Sequence, residues 1–385
     1  MEGRPSLDLW RMDLRRFGGH YADRGYTLGR VVETYSTYYD IHYPFEERRA
    51  GRGLRLSPAY PRLEALGCAF GEKAGWERPN WFEVNANGFR AGYAPPGWLR
   101  RHWSAAIEAE HRATREGAGL FDTTSFSKLE VSGAGALRLL QRLSDNEMDR
   151  PVGSVTYTQM LNEAGGIECD LTVTRMASDR FFLVTGSAFG PHDLAWIRSH
   201  LPADESVSAE DVTERYACIG LWGPRAREIL RRATADDVSN EGFPYLTART
   251  ITVGGMVVRA LRVTYVGELG WELYGPMADG LALWDRLWEA GQGQGLMAAG
   301  YRAIDSLRLE KGYRYWSAEL TPEYTPDEAG LGFCVKLDKG DFIGREALIA
   351  QRERGRERRL ACLTLDDPFA VAPGGEPILH EGKTV

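Results

Sequence analysis

A carboxylate stands between bulky apolar residues in the segment 263–274, which reads Val-Thr-Tyr-Val-Gly-Glu-Leu-Gly-Trp-Glu-Leu-Tyr. Two apolar arms flank the Gly-Glu-Leu-Gly of residues 267–270, and this pattern predicts a β-hairpin. On the second arm Trp271 and Leu273 would share one face, with Glu272 and Tyr274 on the other. Because an unpaired buried charge costs several kcal/mol, Glu272 needs a partner. That partner is either a structural arginine or a ligand that carries N–H donors.

Asp170 and Arg308 each have a structural interpretation that the sequence leaves open beside a functional one. Asp170 precedes a Leu-Thr-Val run, so it could start a strand or cap a turn, or it could be a catalytic carboxylate. Arg308 lies in a helical stretch, where it could pair with Asp305 or Glu310 at the surface.

The run from Tyr265 to Glu272 resembles the Tyr-x-Gly-Glu-x-Gly-(aromatic)-Glu signature of the glycine cleavage T protein family. The same signature recurs in the C-terminal halves of dimethylglycine and sarcosine dehydrogenases. The resemblance implies that Tyr265 and Glu272 line a tetrahydrofolate site. Alignment on the glycine pair at 165–166 makes Asp170 the catalytic carboxylate, and the remaining cofactor-binding candidates that the resemblance implies are Tyr157 and Arg308.

The first eighty or so residues indicate the dehydrogenase branch of this family. The run at 39–44, Tyr-Asp-Ile-His-Tyr-Pro, and the aromatic run at 76–82 resemble the region that links the flavin domain to the folate half of those dehydrogenases. A flavin-binding turn would need Gly-x-Gly-x-x-Gly, which does not occur before residue 100. The Gly-Ala-Gly-Ala of residues 133–136 lacks the third glycine and more plausibly starts a helix. We therefore expect no flavin in this chain, and a flavin-containing dehydrogenase domain or subunit as a partner.

Alternating patterns predict strands at 128–132, 180–185 and 216–222. Apolar residues at helical spacing, Leu281, Trp284, Leu287 and Trp288, predict a helix that ends at Gly291. Strands mixed with amphipathic helices, without regular βαβ spacing, predict an α+β fold. Three parts are expected: a linking region at 1–85, a folate-binding domain at 86–350, and at 351–385 the start of a C-terminal β-barrel that looks incomplete. The last of these rests on a turn at Glu381-Gly382 followed by a short return strand. The resemblance implies a three-lobed arrangement with folate in a central opening.

Composition and cysteine spacing limit the kinds of partner, metal site and compartment that the sequence predicts. Hydrophobic and charged contents of 43% and 26% are ordinary for a globular protein, and the net charge of −7 argues against a general nucleic-acid binder. The five cysteines form no Cys-x-x-Cys pair, so neither a zinc site nor a disulfide framework is predicted, and no metal is expected. The sequence contains no run of about 18 apolar residues, so no membrane span is predicted. A reducing compartment fits: the cytoplasm, or the mitochondrial matrix in a eukaryote.

The resulting hypothesis is tetrahydrofolate-dependent one-carbon transfer. An iminium or formaldehyde unit from a demethylated amine would be captured as 5,10-methylene-tetrahydrofolate. Two alternatives stay open: an independent folate-dependent demethylase, and a non-catalytic folate-binding regulatory protein.

Overall fold

The computed structural model describes residues 9–42, 45–92, 94, 97–367, 370, 372 and 374–384. Tyr43 and Pro44 of the run at 39–44 lie outside these residues, as does Val385. Within them the α-helices are α1 (Arg24–Ser36), α2 (Tyr60–Ala65), α3 (Ala105–Glu116), α4 (Ala136–Leu143), α5 (Gly190–Ser199), α6 (Ala226–Ala233), α7 (Gly280–Gly291), α8 (Tyr301–Glu310) and α9 (Arg345–Arg354).

The strands form two large sheets and two hairpins. They are β1 (Cys68–Lys73), β2 (Trp76–Phe82), β3 (Ala118–Asp122), β4 (Ser127–Ser132), β5 (Val155–Leu161), β6 (Ile167–Ala177), β7 (Arg180–Thr185), β8 (Ser208–Asp211), β9 (Tyr216–Trp222), β10 (Ala248–Val253), β11 (Met256–Leu261), β12 (Gly270–Pro276), β13 (Leu296–Ala298), β14 (Leu379–His380) and β15 (Lys383–Thr384).

The larger sheet has six strands in the order β10-β11-β12-β9-β3-β13, antiparallel except for the β3–β13 pair. The second sheet is antiparallel, in the order β5-β6-β7-β4-β8. The sheet order differs from the sequence order: β3 pairs with β9 and β13, which both come much later in the chain. This mixture of sheets and helices confirms the predicted α+β class.

Three of the five buried apolar clusters of the described residues belong to different groups of these elements. Helices α6 and α7 cover the six-stranded sheet, and Trp271, Trp284 and Leu287 lie in one buried cluster. Helix α4 and the five-stranded sheet share a second apolar cluster. A third cluster joins residues 320–348 to the ends of β5 and β6. The arrangement agrees with a three-lobed fold.

The predicted hairpin at 263–274 is wrong in its first arm. Strand β12 begins at Gly270 and pairs instead with β11, which ends at Leu261. Between them the Thr264 hydroxyl accepts hydrogen bonds from the backbone N–H groups of Val266 and Gly267, both at 3.1 Å. A side chain that bonds its own backbone in this way holds the segment in a turn and competes with strand pairing.

The C-terminal segment forms a small hairpin and no closed barrel. Strands β14 and β15 pair through two residues each, on either side of the predicted turn at Glu381-Gly382. Among the residues that the structure describes, no sheet closes on itself.

A buried glutamate on α3 forms hydrogen bonds with the end of β2, the residues after it and the start of α8. Glu110 on α3 is fully buried. Its Oε1 accepts from the Phe82 backbone N–H at 2.7 Å and from Asn85 at 3.0 Å, while Oε2 accepts from the Gly300 N–H at 2.8 Å. These bonds join α3 to the end of β2 and the start of α8.

Candidate active site

Asp170 lies inside β6, so it does not start the strand or cap a turn. Its Oδ1 accepts two hydrogen bonds from β5, one from the Tyr157 hydroxyl at 2.5 Å and one from the Gln159 amide at 2.8 Å. Both donors bind the same oxygen, and Oδ2 accepts no hydrogen bond from the described residues. The side chain is partly exposed, so Oδ2 is the oxygen that a ligand could reach.

The surroundings of Asp170 suit a proton acceptor at neutral pH. Burial raises the pKa of the Asp170 carboxyl to about 6, against the opposing effect of the hydrogen bonds from Tyr157 and Gln159. Asp193 raises this pKa further and Arg314 lowers it. A carboxyl group with this pKa is mostly ionised at pH 7 and still accepts a proton readily.

Tyr265 is held in the β11–β12 loop by residues that follow α8. Its hydroxyl donates to the Arg314 carbonyl oxygen at 2.5 Å, and its ring stacks on Tyr313 with centroids 6.1 Å apart. Burial raises the pKa of the Tyr265 hydroxyl, with Asp170 among the nearby charges that contribute. Tyr265 therefore presents a fixed aromatic surface close to Asp170.

Glu272 lies in the interior of β12 and is buried. Its Oε2 accepts a hydrogen bond from the Tyr274 hydroxyl at 2.6 Å, so the two residues share a face as the alternation predicted. Within the described residues the partner is this tyrosine, not an arginine, and the cation that acts on the carboxylate is Lys128. Burial raises the pKa of Glu272, while Tyr274 and Lys128 oppose that shift. Oε1 accepts no hydrogen bond from the described residues and is the oxygen left for a ligand.

Lys128 is a residue that sequence reasoning missed. It is fully buried on β4, where its ammonium group donates to the Thr124 carbonyl at 2.6 Å. Burial lowers the pKa of Lys128 to about 8, and Cys218, Asp122 and Asp211 oppose that shift. The sequence places Lys128 at the start of an alternating run, but nothing in that run shows that its side chain is buried.

Arg308 is buried on α8, and of the two predicted pairs it forms the one with Asp305 and not the one with Glu310. Its Nε donates to Asp305 at 2.8 Å, and its Nη1 donates to Glu319 at 2.7 Å and to the Tyr313 carbonyl at 3.1 Å. Glu310 pairs with Arg115 instead. In the structure Arg308 therefore fixes the segment that holds Tyr265.

The structure brings Tyr157, Asp170 and Tyr265 together, with Arg308 behind Tyr265. Arg308 lowers the pKa of the Tyr265 hydroxyl and Asp170 raises it. Burial, Asp170 and Tyr265 all raise the pKa of the Tyr157 hydroxyl. Glu272 belongs to a different neighbourhood, the middle of the six-stranded sheet beside Lys128.

A separate surface cleft of about 500 Å³ lies between α3 and α8. None of the predicted site residues lines it. Its charged side chains pair largely with each other, as Arg115 does with Glu310 and Arg112 with Glu108. This self-pairing leaves few groups for a ligand. Across the described residues, no helix combines the length and apolar character that crossing a membrane requires.

Comparison with known proteins gives the family. The family described as "GCVT N-terminal domain" matches residues 59–339, and "FAD dependent oxidoreductase central domain" matches residues 2–57. The chain is 37% identical to 4-methylaminobutanoate oxidase (formaldehyde-forming) of Paenarthrobacter nicotinovorans, over 100% of this chain and 46% of the relative. It is also 37% identical to human mitochondrial sarcosine dehydrogenase, again over 100% of this chain and 46% of the relative.

The chain thus spans less than half the length of these curated relatives. Among solved structures, the glycine cleavage system aminomethyltransferase T of Bartonella henselae superimposes with a TM-score of 0.65 and 26% identity, covering 79% of this chain and 76% of that one. The motif resemblance, the fold and these matches agree, and the chain belongs to the glycine cleavage T protein family, on the branch shared with the dimethylglycine and sarcosine dehydrogenases.

Proposed function

We propose that this chain transfers a one-carbon unit, as an iminium or formaldehyde equivalent from a demethylated amine, to tetrahydrofolate. The observation that carries the proposal is the Asp170 carboxylate, which is oriented through Oδ1 and open at Oδ2. Tetrahydrofolate, when bound, supplies the two nitrogen nucleophiles, the amine (or water, in the case of formaldehyde) leaves the one-carbon unit, and the product is 5,10-methylene-tetrahydrofolate.

The residues present fit such a ligand. The pterin ring of folate offers an amino group and ring N–H groups in a row, and Glu272 has a carboxylate oxygen without a donor in the described residues. A charge-assisted hydrogen bond to that oxygen would satisfy a buried acceptor. Tyr265 supplies an aromatic face, although its hydroxyl is already used within the protein.

In this mechanism Asp170 has two tasks. Its negative charge stabilises the cationic one-carbon unit, and its Oδ2 accepts the proton that the attacking nitrogen must lose. Tyr157 and Gln159 hold the carboxylate in one orientation so that Oδ2 stays directed away from β5. Arg308 acts at a distance, by fixing the residues 313–319 that hold Tyr265.

Glu272→Gln should weaken tetrahydrofolate binding by about 1.5–3 kcal/mol, which is the range for losing a charge-assisted hydrogen bond. Titration followed by tryptophan fluorescence measures the affinity. Glu268→Gln is the matched control, because Glu268 belongs to the same segment but pairs with Arg115. Equal affinities for wild type and Glu272→Gln, with the fold intact, would make Glu272 purely structural. Folate binding without any one-carbon transfer would favour the regulatory alternative.

We also propose that the flavin chemistry belongs to a partner domain or subunit. Helix α1 presents Leu28, Val31, Val32 and Tyr35 at helical spacing, and these side chains are 48–81% exposed. Contiguous exposed apolar residues of this kind mark an interaction surface. They lie within the residues that match the oxidoreductase central domain, so a flavin-dependent oxidoreductase is the partner that we assign to this face. Residues 1–85 would then be the linking region, and the pair would work in the cytoplasm or the mitochondrial matrix.

Replacing Leu28 and Val32 together with aspartate should abolish co-purification with a flavin-dependent oxidoreductase produced in the same cell. Two carboxylates in the centre of the stripe would have to be desolvated on association. Arg24→Asp, at the exposed start of the same helix, should leave co-purification intact. Undiminished recovery of the yellow partner with the double variant would rule out this surface.

A further inference from the structure

A second cluster of reactive side chains lies on the face of β6 opposite Asp170. Cys169, His192 and Asp193 are all buried, and one potential ligand atom from each lies within 4.8 Å of the other two. Cys169 precedes the adjacent pair His192 and Asp193 by 23 residues, and none of the three contacts the substrate in the proposed transfer.

The fold brings them together from a strand and a helix. Cys169 directly precedes Asp170, so its side chain projects to the other face of β6. Helix α5 begins at Gly190 and places His192 and Asp193 in its first turn. The ring of Trp10 meets His192 edge-on with centroids 4.6 Å apart, so the N-terminal segment covers the cluster.

One carboxylate oxygen in this cluster is buried without a hydrogen-bond partner among the described residues. Asp193 is 1% exposed, and its Oδ1 lies 2.9 Å from His192 Nδ1. Its Oδ2 is buried and has no hydrogen-bond partner among the described residues. A buried carboxylate oxygen without a donor is costly, and a cation would remove that cost.

We propose that Cys169 Sγ, His192 Nδ1 and Asp193 bind one Zn²⁺ ion. Thiolate, imidazole and carboxylate together are a donor set that zinc accepts. On binding, the zinc–sulfur bond replaces the S–H bond, and the proton leaves to solvent. The two anionic ligands then cancel the charge of the ion, so the filled site is neutral and suited to burial. A water molecule would complete the tetrahedral set.

Glu168 fits the role of a supporting residue. Its Oε2 lies 3.7 Å from His192 Nε2, the ring nitrogen on the far side from Asp193, and its Oε1 accepts from Asn162 at 3.0 Å. A histidine that binds a metal through one nitrogen commonly gives the other N–H to a carboxylate, which fixes the ring. The site would anchor β6 to α5 and to the N-terminal segment directly behind Asp170.

The test uses the full chain, produced in zinc-supplemented medium so that the ion is present while the site forms. After gel filtration, mass spectrometry of the metal content should give one zinc ion per chain. Replacement by Co²⁺ should produce a sulfur-to-cobalt charge-transfer band in the near ultraviolet. Cys169→Ala should lose the band and retain under a tenth of the metal, and Glu168→Gln should bind zinc about 10–100-fold more weakly.

Cys334→Ala is the matched control, since Cys334 is another buried cysteine outside the cluster, and it should bind metal like wild type. If Cys169→Ala does not fold, His192→Gln is tested in its place, and it should also retain under a tenth of the metal. A wild-type chain with less than a tenth of a zinc ion, or a Cys169→Ala chain that keeps its full complement, would overturn the proposal.

Discussion

Asp170→Asn should lower the rate of methylene-tetrahydrofolate formation by about 10²–10⁴-fold, while tetrahydrofolate affinity changes much less. Asparagine keeps the shape and can still accept a hydrogen bond from Tyr157, but it lacks the negative charge and cannot take a proton. Binding should persist because Glu272 carries the proposed pterin contact. The assay supplies formaldehyde and tetrahydrofolate and subtracts the uncatalysed condensation.

Asp179→Asn is the control for this experiment, because Asp179 is an exposed carboxylate in the turn after β6. Its rate should match that of wild type. The comparison requires an active wild type, so the chain is assayed alone and together with its flavin-containing partner. Equal rates for an active wild type and Asp170→Asn would remove Asp170 from the mechanism and leave it a structural residue of the strand.

The second large effect concerns stability. Glu110→Ala should reduce the free energy of unfolding by about 3–5 kcal/mol, because three N–H donors, from Phe82, Asn85 and Gly300, would lose their buried acceptor. Urea denaturation measures the change. Glu116→Ala, at the exposed end of the same helix, should change stability by less than about 0.5 kcal/mol. A loss below about 1 kcal/mol for Glu110→Ala would show that water replaces the carboxylate without cost.

The contribution of Glu110 should also depend on pH. Burial raises the pKa of its carboxyl from 4.5 to about 8, although the hydrogen bonds from Phe82, Gly300 and Asn85 oppose the shift. Between these two values the unfolded chain has lost the proton and the folded chain retains it, so rising pH favours unfolding. The stability advantage of wild type over Glu110→Ala should therefore be largest below pH 4.5 and shrink as pH rises through 8. A difference in unfolding free energy between wild type and Glu110→Ala that does not change with pH would contradict the raised pKa of Glu110.

Local patterns in the sequence were sufficient for elements whose signals are short-range. The strands predicted at 180–185 and 216–222 coincide with β7 and β9, and the helix predicted to end at Gly291 coincides with α7. The shared face of Glu272 and Tyr274 was likewise predictable, because alternation in a strand depends only on position. The family resemblance predicts one site for Asp170 and Tyr265; in the structure Asp170 raises the pKa of the Tyr265 hydroxyl, and their common role in a site stays a prediction.

The remaining features depend on contacts that no local pattern encodes. Glu319 reaches Arg308 across the turn after α8, so the buried arginine has a second carboxylate partner besides the predicted Asp305. Lys128 acts on Glu272 although the two lie in different sheets, because the sheets meet in a buried cluster that contains Phe182 and Tyr274. The hairpin failed for a subtler reason: the Thr264 hydroxyl satisfies backbone donors that a strand would have used.

The position of β3 has a consequence for synthesis on the ribosome. All five of its residues are buried, yet its partners are β9 and β13, which begin at Tyr216 and Leu296. At about 5–20 residues per second, a newly made β3 waits on the order of ten seconds for its first partner. During that interval an apolar strand with two open edges is available to chaperones and to other nascent chains. Slowing translation between residues 122 and 216 should therefore lower the yield of folded protein more than the same delay placed after residue 300.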